Sequence, residues 1–274
     1  GSSSAVQRAV KSSSSLRLLN AVSTTGIDRP LQAARLQWSM EAAQIIRKAV
    51  AEVKSLRESE ADDPHLWSAV LSVKHYQSLR FQHSYRDMLD GGPFQLAARF
   101  FLDELYGVAD FSKRDAQFSR IARAIERLLP ASAVEIAVLL AKLHVLTEQL
   151  DHAMAKAWLT VPASTSKAER YILAWAMVGQ QRLRLRQLQL VLEMGWGLDR
   201  LTRKPGLRKL LKIMRAPAAA AGLAELQHFL ETGFDTFASI AKHKPGTAEF
   251  LRLIQIRETK LIAALSARPV NGTP

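Results

Sequence analysis

Helix-start signals recur along this chain at intervals too short for anything but one helix after another. Asp28 and Pro30 open a first helix, which the apolar pattern carries to about Glu58. Asp63 followed by Pro64 predicts a second. An aspartate can accept from the orphan N–H groups of a first turn, and a proline there gives up no hydrogen bond. "LDGG", residues 89–92, stops that helix, Pro93 opens another, and Gly107 closes it. Ser132 with Glu135 and Ser166 with Glu169 each spell the capping box Ser-x-x-Glu, and Ser112 with Asp115 resembles one. Pro205, Pro217 and Thr247 begin the later helices, while Gly195, Gly197, Gly222 and Gly233 are expected to break or bend that run. The expected fold is all-α, a compact bundle of about nine or ten helices.

One stretch speaks against a purely helical chain. "RLRLRQLQL", residues 182–190, alternates with the period of a strand. On a helical wheel, however, Arg182, Arg186, Gln189 and Glu193 fall on one narrow polar stripe. Leu185, Leu188 and Leu192 line one flank of it, and Leu183, Leu190 and Met194 line the other. No partner strand is visible elsewhere, so a helix is expected here too.

Charge is unevenly placed. The formal net charge is +13, and residues 182–215 hold ten Lys or Arg against Glu193 and Asp199. Residues 1–27 add Arg8, Lys11 and Arg17 with no acid, are rich in serine, and lack apolar periodicity. They are expected to be a flexible tail, with a single helical domain over 28–268. Cysteine is absent, which removes disulfides and thiolate chemistry and fits the reducing cytoplasm. No run reaches the ~18 apolar residues of a membrane span.

The stretch "ARFFLDELYG", residues 98–107, sets two acids beside two phenylalanines. Phe94, Ala97, Ala98, Phe101 and Leu105 make one apolar face. Asp103 points nearly opposite, one turn after Arg99. Glu104 instead projects between Phe100 and Phe101, where a carboxylate must be paired, hydrogen-bonded or protonated. Arg184 is its counterpart in the basic stretch, projecting between Leu188 and Val191. The two are expected to form a buried salt bridge, with Asp151 and Glu225 as the next candidate partners of Arg184.

"FFLDELYG", with "DFSKRDAQFSRI" a few residues on, resembles the bacterial FFLEELY motif proteins, with Asp103 standing where that motif has Glu. "KIMRAPAAAAGLAELQHFLETGFDTF", residues 212–237, looks like the C-terminal part of the same family. The resemblance spans most of residues 65–265. It implies a bacterial, cytoplasmic protein and carries no catalytic residues with it.

Other constellations bring less. His144, Glu148, Asp151 and His152 share one side of a helix at spacings that can serve a metal, but that side is its polar face and solvation is expected. Glu225 and His228 form one Glu-x-x-His unit where a di-iron bundle needs two. His65, His75 and His83 do not share a face. No metal site is favoured and no cofactor is expected. Two classes of function stay open. One is a non-enzymatic binding or adaptor protein whose basic surface, Arg182, Arg186, Arg203, Lys204, Arg208, Lys209 and Lys212, meets nucleic acid, anionic lipid or an acidic protein. The other is a helical enzyme or carrier with a metal or apolar ligand in the bundle near Glu104, His144 and Asp151. A pocket lined by Glu104, His144 or Asp151 would favour the enzyme, and a flat basic surface would favour the binder.

Overall fold

The computed structural model describes residues 28–105 and 131–268. Among them are eleven helices and no strand. The helices are α1 (Asp28–Ala61), α2 (Pro64–Ser84), α3 (Arg86–Leu89), α4 (Gln95–Leu105), α5 (Ala131–Thr160), α6 (Lys167–Val178), α7 (Gln181–Thr202), α8 (Leu207–Ile213), α9 (Arg215–Ala220), α10 (Ala224–Ile240) and α11 (Gly246–Ser266). The all-α expectation holds, and "RLRLRQLQL" lies in α7. The serine-rich tail, Gly107 and the Ser112–Asp115 signal lie outside the described residues. The chain falls into two compact units, residues 1–41 and 42–274, with the division inside α1. In the first, Gln37 Nε2 donates to Glu41 Oε1 one turn on.

Two caps form as the sequence requires. Asp63 Oδ1 accepts from the N–H groups of His65 and Leu66, and Ser166 Oγ accepts from that of Glu169. Ser132 differs: it is buried inside α5. The second predicted helix also ends early, at Ser84 rather than Leu89. Arg257 Nη1 donates to the Ser84 carbonyl at 2.8 Å, taking the acceptor that a continuous helix would offer Met88. The Met88 N–H turns to the Tyr85 carbonyl, 2.9 Å away. A side chain from α11 thus breaks a helix whose own sequence would continue.

In the second unit, α5 packs against α2, α6 and α7, and α7 packs against α10 and α11. The two phenylalanines of the motif divide between neighbours. Phe100 meets Phe229 and Phe237 of α10, and Phe101 meets Phe250 of α11 edge-on at 5.2 Å. Asp103 and Arg99 are both exposed. On α7, Leu188, Leu190 and Met194 are buried, but Leu183 and Leu185 near its start are exposed.

The glycines at 195 and 197 do not break α7, which is continuous across them. They let neighbours approach. A Cβ at Gly195 would lie 2.6 Å from Leu251 Cδ2, one at Gly197 would lie 2.4 Å from Ile136 Cδ1, and one at Gly233 would lie 2.9 Å from Leu198 Cδ2. Gly197→Val is therefore expected to destabilise by about 1–3 kcal/mol through overpacking, read as a lower denaturation midpoint. Gly197→Ala should cost less, because the gain of about 1 kcal/mol in helix propensity opposes the clash. A neutral valine would show that α5 and α7 have room to part.

Candidate functional site

The polar side of α5 faces inward. Glu148 and Asp151 are each only 2% exposed, and the long helix is buried on nearly every side. This corrects the expected solvated face. Charges from α1 and α2 close over that side: Lys74 Nζ lies 2.6 Å from Glu148 Oε1 and 3.5 Å from Asp151 Oδ2, and Arg57 Nη2 lies 3.0 Å from Glu148 Oε1. Gln77 Nε2 donates to Asp151 Oδ1 at 2.8 Å. His144 Nδ1 is 3.9 Å from Glu148 Oε1, and His152 Nδ1 is 3.1 Å from Glu60 Oε1. Of the four residues singled out by their metal-like spacing, the two acids thus serve ion pairs, and the two histidines lie against Glu148 and Glu60. Among the described residues no group of three or more His, Cys, Asp or Glu is placed to hold a metal. His65, His75 and His83 are exposed, as are Glu225 and His228.

Beside this network lies a cavity of about 90 Å³. Its polar wall comes from α2 (Lys74, Gln77, Arg80), α4 (Glu104), α5 (His144, Glu148, Asp151), α7 (Arg184) and α11 (Glu258). Leucines 140, 143 and 188 with Val191 supply an apolar wall. Glu258 is held by Arg80 Nη1 at 3.1 Å and by the Tyr85 hydroxyl, which donates to it at 2.9 Å.

Arg184 is 3% exposed, as its place on the apolar arc predicts. Gly179 and Gln180, both at positive φ, link α6 to α7 in two residues. Arg184 follows one turn later, with its guanidinium carbon 3.4 Å from the centre of the Trp175 ring. Among the described residues it pairs with no carboxylate, and its Nε and Nη2 have no hydrogen-bond acceptor. Glu104 is half-buried on the same cavity, so the two expected partners share a site without pairing. Burial lowers the pKa of the guanidinium below its ordinary value, against the pull of Tyr171 and Asp151. Asp151, the second candidate, is thus coupled to it through space.

Burial raises the pKa of the Asp151 carboxyl above its ordinary value; Lys74 opposes this and Glu148 adds to it. A carboxyl raised in the folded state stabilises the fold most below its unfolded pKa, and that contribution falls as pH rises through the folded value. Asp151→Asn keeps an acceptor for Gln77 and removes the titration. Its stability relative to the native chain is expected to improve as pH is raised from 4 toward 8, measured by denaturant unfolding. A difference that does not change with pH would show that Asp151 stays ionised throughout.

Sequence reasoning finds Glu104, His144, Glu148, Asp151 and Arg184. It misses Lys74, Gln77 and Arg80, whose i, i+3, i+6 spacing beside Val70 and Val73 is a polar stripe bordering an apolar one. It also misses Trp175 and Glu258, which carry no local signal.

The basic surface is thinner than its charge count suggests. Arg186 and Arg208 are half-buried, not exposed, and pair with Glu193 and Asp235. Arg203 Nε and Nη2 both donate to the buried Asp199, whose other oxygen accepts from the Thr247 hydroxyl. Arg182, Lys204, Lys209 and Lys212 are exposed.

Among the described residues no helix is long and apolar enough to cross a membrane. Residues 56–271 match the family model described as Domain of unknown function (DUF8198). No curated protein and no solved structure matches the chain.

Proposed function

The chain belongs to the family of the Domain of unknown function DUF8198, and we propose that it is a ligand-binding protein whose helical bundle takes a small polar molecule into the cavity between α2, α5 and α7. The observation that carries this reading is Arg184. A buried guanidinium with two donors lacking acceptors costs about 1–3 kcal/mol for each unmet bond, and a bound acceptor would remove that cost. The cavity is lined by Glu104, His144 and Asp151, the arrangement that speaks for the enzyme class, but binding is preferred because two of its other carboxylates, Glu148 and Glu258, are each held by cations. Such pairing fixes charge instead of leaving a carboxylate poised to move a proton. The same reading keeps the chain among the bacterial FFLEELY motif proteins and assigns it to the cytoplasm, on the strength of residues 100–106 and the absence of cysteine.

The test is extraction of the purified protein followed by mass spectrometry, together with melting curves over a panel of small acids, amines and polyols. A stoichiometric small molecule, or a melting temperature raised by members of the panel and no longer raised in the cavity-filling Val191→Phe, is expected. A protein that carries nothing and responds to nothing would end the reading.

A second role is supported by the exposed Arg182, Lys204, Lys209 and Lys212, which leave a positive surface for an anionic partner. Heparin retention that falls with salt, and falls further on reversing Lys204, Lys209 and Lys212, is its expected sign. Retention unchanged by those reversals would exclude it.

A further inference from the structure

The cavity pairs unmet donors with unmet acceptors. On one wall the Arg184 Nε and Nη2 have no acceptor. These two nitrogens form the edge of a guanidinium that grips a carboxylate. The same edge of Arg215 holds Glu231, and that of Arg252 holds Glu249. Glu148 Oε2 and Asp151 Oδ2, on residues that line the same cavity, likewise accept no hydrogen bond, although Lys74 supplies charge nearby. The cavity these residues share offers about 90 Å³ and is bordered also by Leu140, Leu143 and Val191. An enclosed cavity of about 150 Å³ holds benzene, so the portion of an occupant seated in this smaller, partly open space is short.

Resting on the ligand-binding reading above, we infer that the cavity recognises a short carboxylic acid that also bears a hydrogen-bond donor, of which a small α-amino acid is the simplest case. Its carboxylate meets Arg184, its ammonium or hydroxyl meets Asp151, and a short apolar side chain lies on the leucines. The Arg184 nitrogens and Asp151 Oδ2 are all shielded from solvent, so the guanidinium turns over the Trp175 face and the Asp151 carboxyl turns toward the space as the acid enters. Planar stacking permits that rotation while keeping the cation against the ring. The fork then offers two parallel hydrogen bonds that an ammonium cannot reproduce.

Calorimetric titration of the full chain with L-alanine, propionate, alaninamide, inorganic phosphate and glycerol tests this. L-alanine is expected to bind, propionate to bind at least about tenfold more weakly, and alaninamide not to bind. Arg184→Lys keeps the charge but loses the fork, and should weaken L-alanine by at least about tenfold with an unchanged circular dichroism spectrum. Asp151→Asn should narrow the gap between L-alanine and propionate. Equal binding of alaninamide, or wild-type affinity in Arg184→Lys, overturns the inference. If phosphate or glycerol binds in a manner blocked by Val191→Phe while both acids fail, the carboxylic-acid inference falls and the ligand-binding reading survives. If nothing binds here or across the wider panel, both fall.

Discussion

Glu148→Ala is expected to destabilise the fold by about 3–5 kcal/mol, the loss seen when one member of a buried ion pair is removed. Glu148 is 2% exposed and one oxygen serves both Lys74, at 2.6 Å, and Arg57, at 3.0 Å. Without it, Lys74 is left with Asp151 at 3.5 Å, a carboxyl whose ionisation burial already opposes. Arg57 is partly exposed and can turn toward water. Most of the loss therefore comes from Lys74. Removing both partners, as Glu148→Met with Lys74→Met, should cost clearly less than the sum of the single losses, because no uncompensated charge stays behind. Urea unfolding of Glu148→Ala, Glu148→Met, Lys74→Met and the double methionine variant measures this. A single loss below about 1 kcal/mol would mean that water reaches the network as it reaches a surface pair.

Phe101→Ala is expected to cost a similar amount, about 3–5 kcal/mol, for a different reason. The ring is 1% exposed and meets Phe250 edge-on at 5.2 Å, and Phe250 in turn packs on Phe94. Removing it opens a cavity where α4 meets α11, and these rigid neighbours can only partly collapse into it. Asp103→Ala, two residues away on the exposed side, should stay within about 0.5 kcal/mol. The contrast locates the importance of the motif in its phenylalanines. A Phe101→Ala loss no larger than that of Asp103→Ala would contradict the packing described here.

Much of the architecture was legible from local chemistry. Asp63 and Ser166 cap because their short side chains reach the orphan N–H groups of their own first turn, and nothing distant is needed. The apolar face of α4 followed from periodicity, and Phe94, Ala97, Ala98 and Phe101 are buried as it requires. Arg184 was legible as a buried charge because it interrupts an apolar arc on its own helix.

What the tertiary structure alone decided are the things that depend on what stands opposite. The glycines of α7 read as helix breakers by propensity, yet close packing against Leu251 and Ile136 makes them spacers within an unbroken helix. The break after Ser84 has no local cause and comes from an arginine of α11. The polar side of α5 has the pattern of a solvated face, and only the charges carried by α1 and α2 turn it inward. The partner of Arg184 shows the same limit. A sequence shows that a buried cation needs compensation, because desolvation depends on the residue and its neighbours along the helix. Whether a carboxylate or an aromatic face provides it depends on which helix arrives across the core, and here Trp175 of α6 arrived.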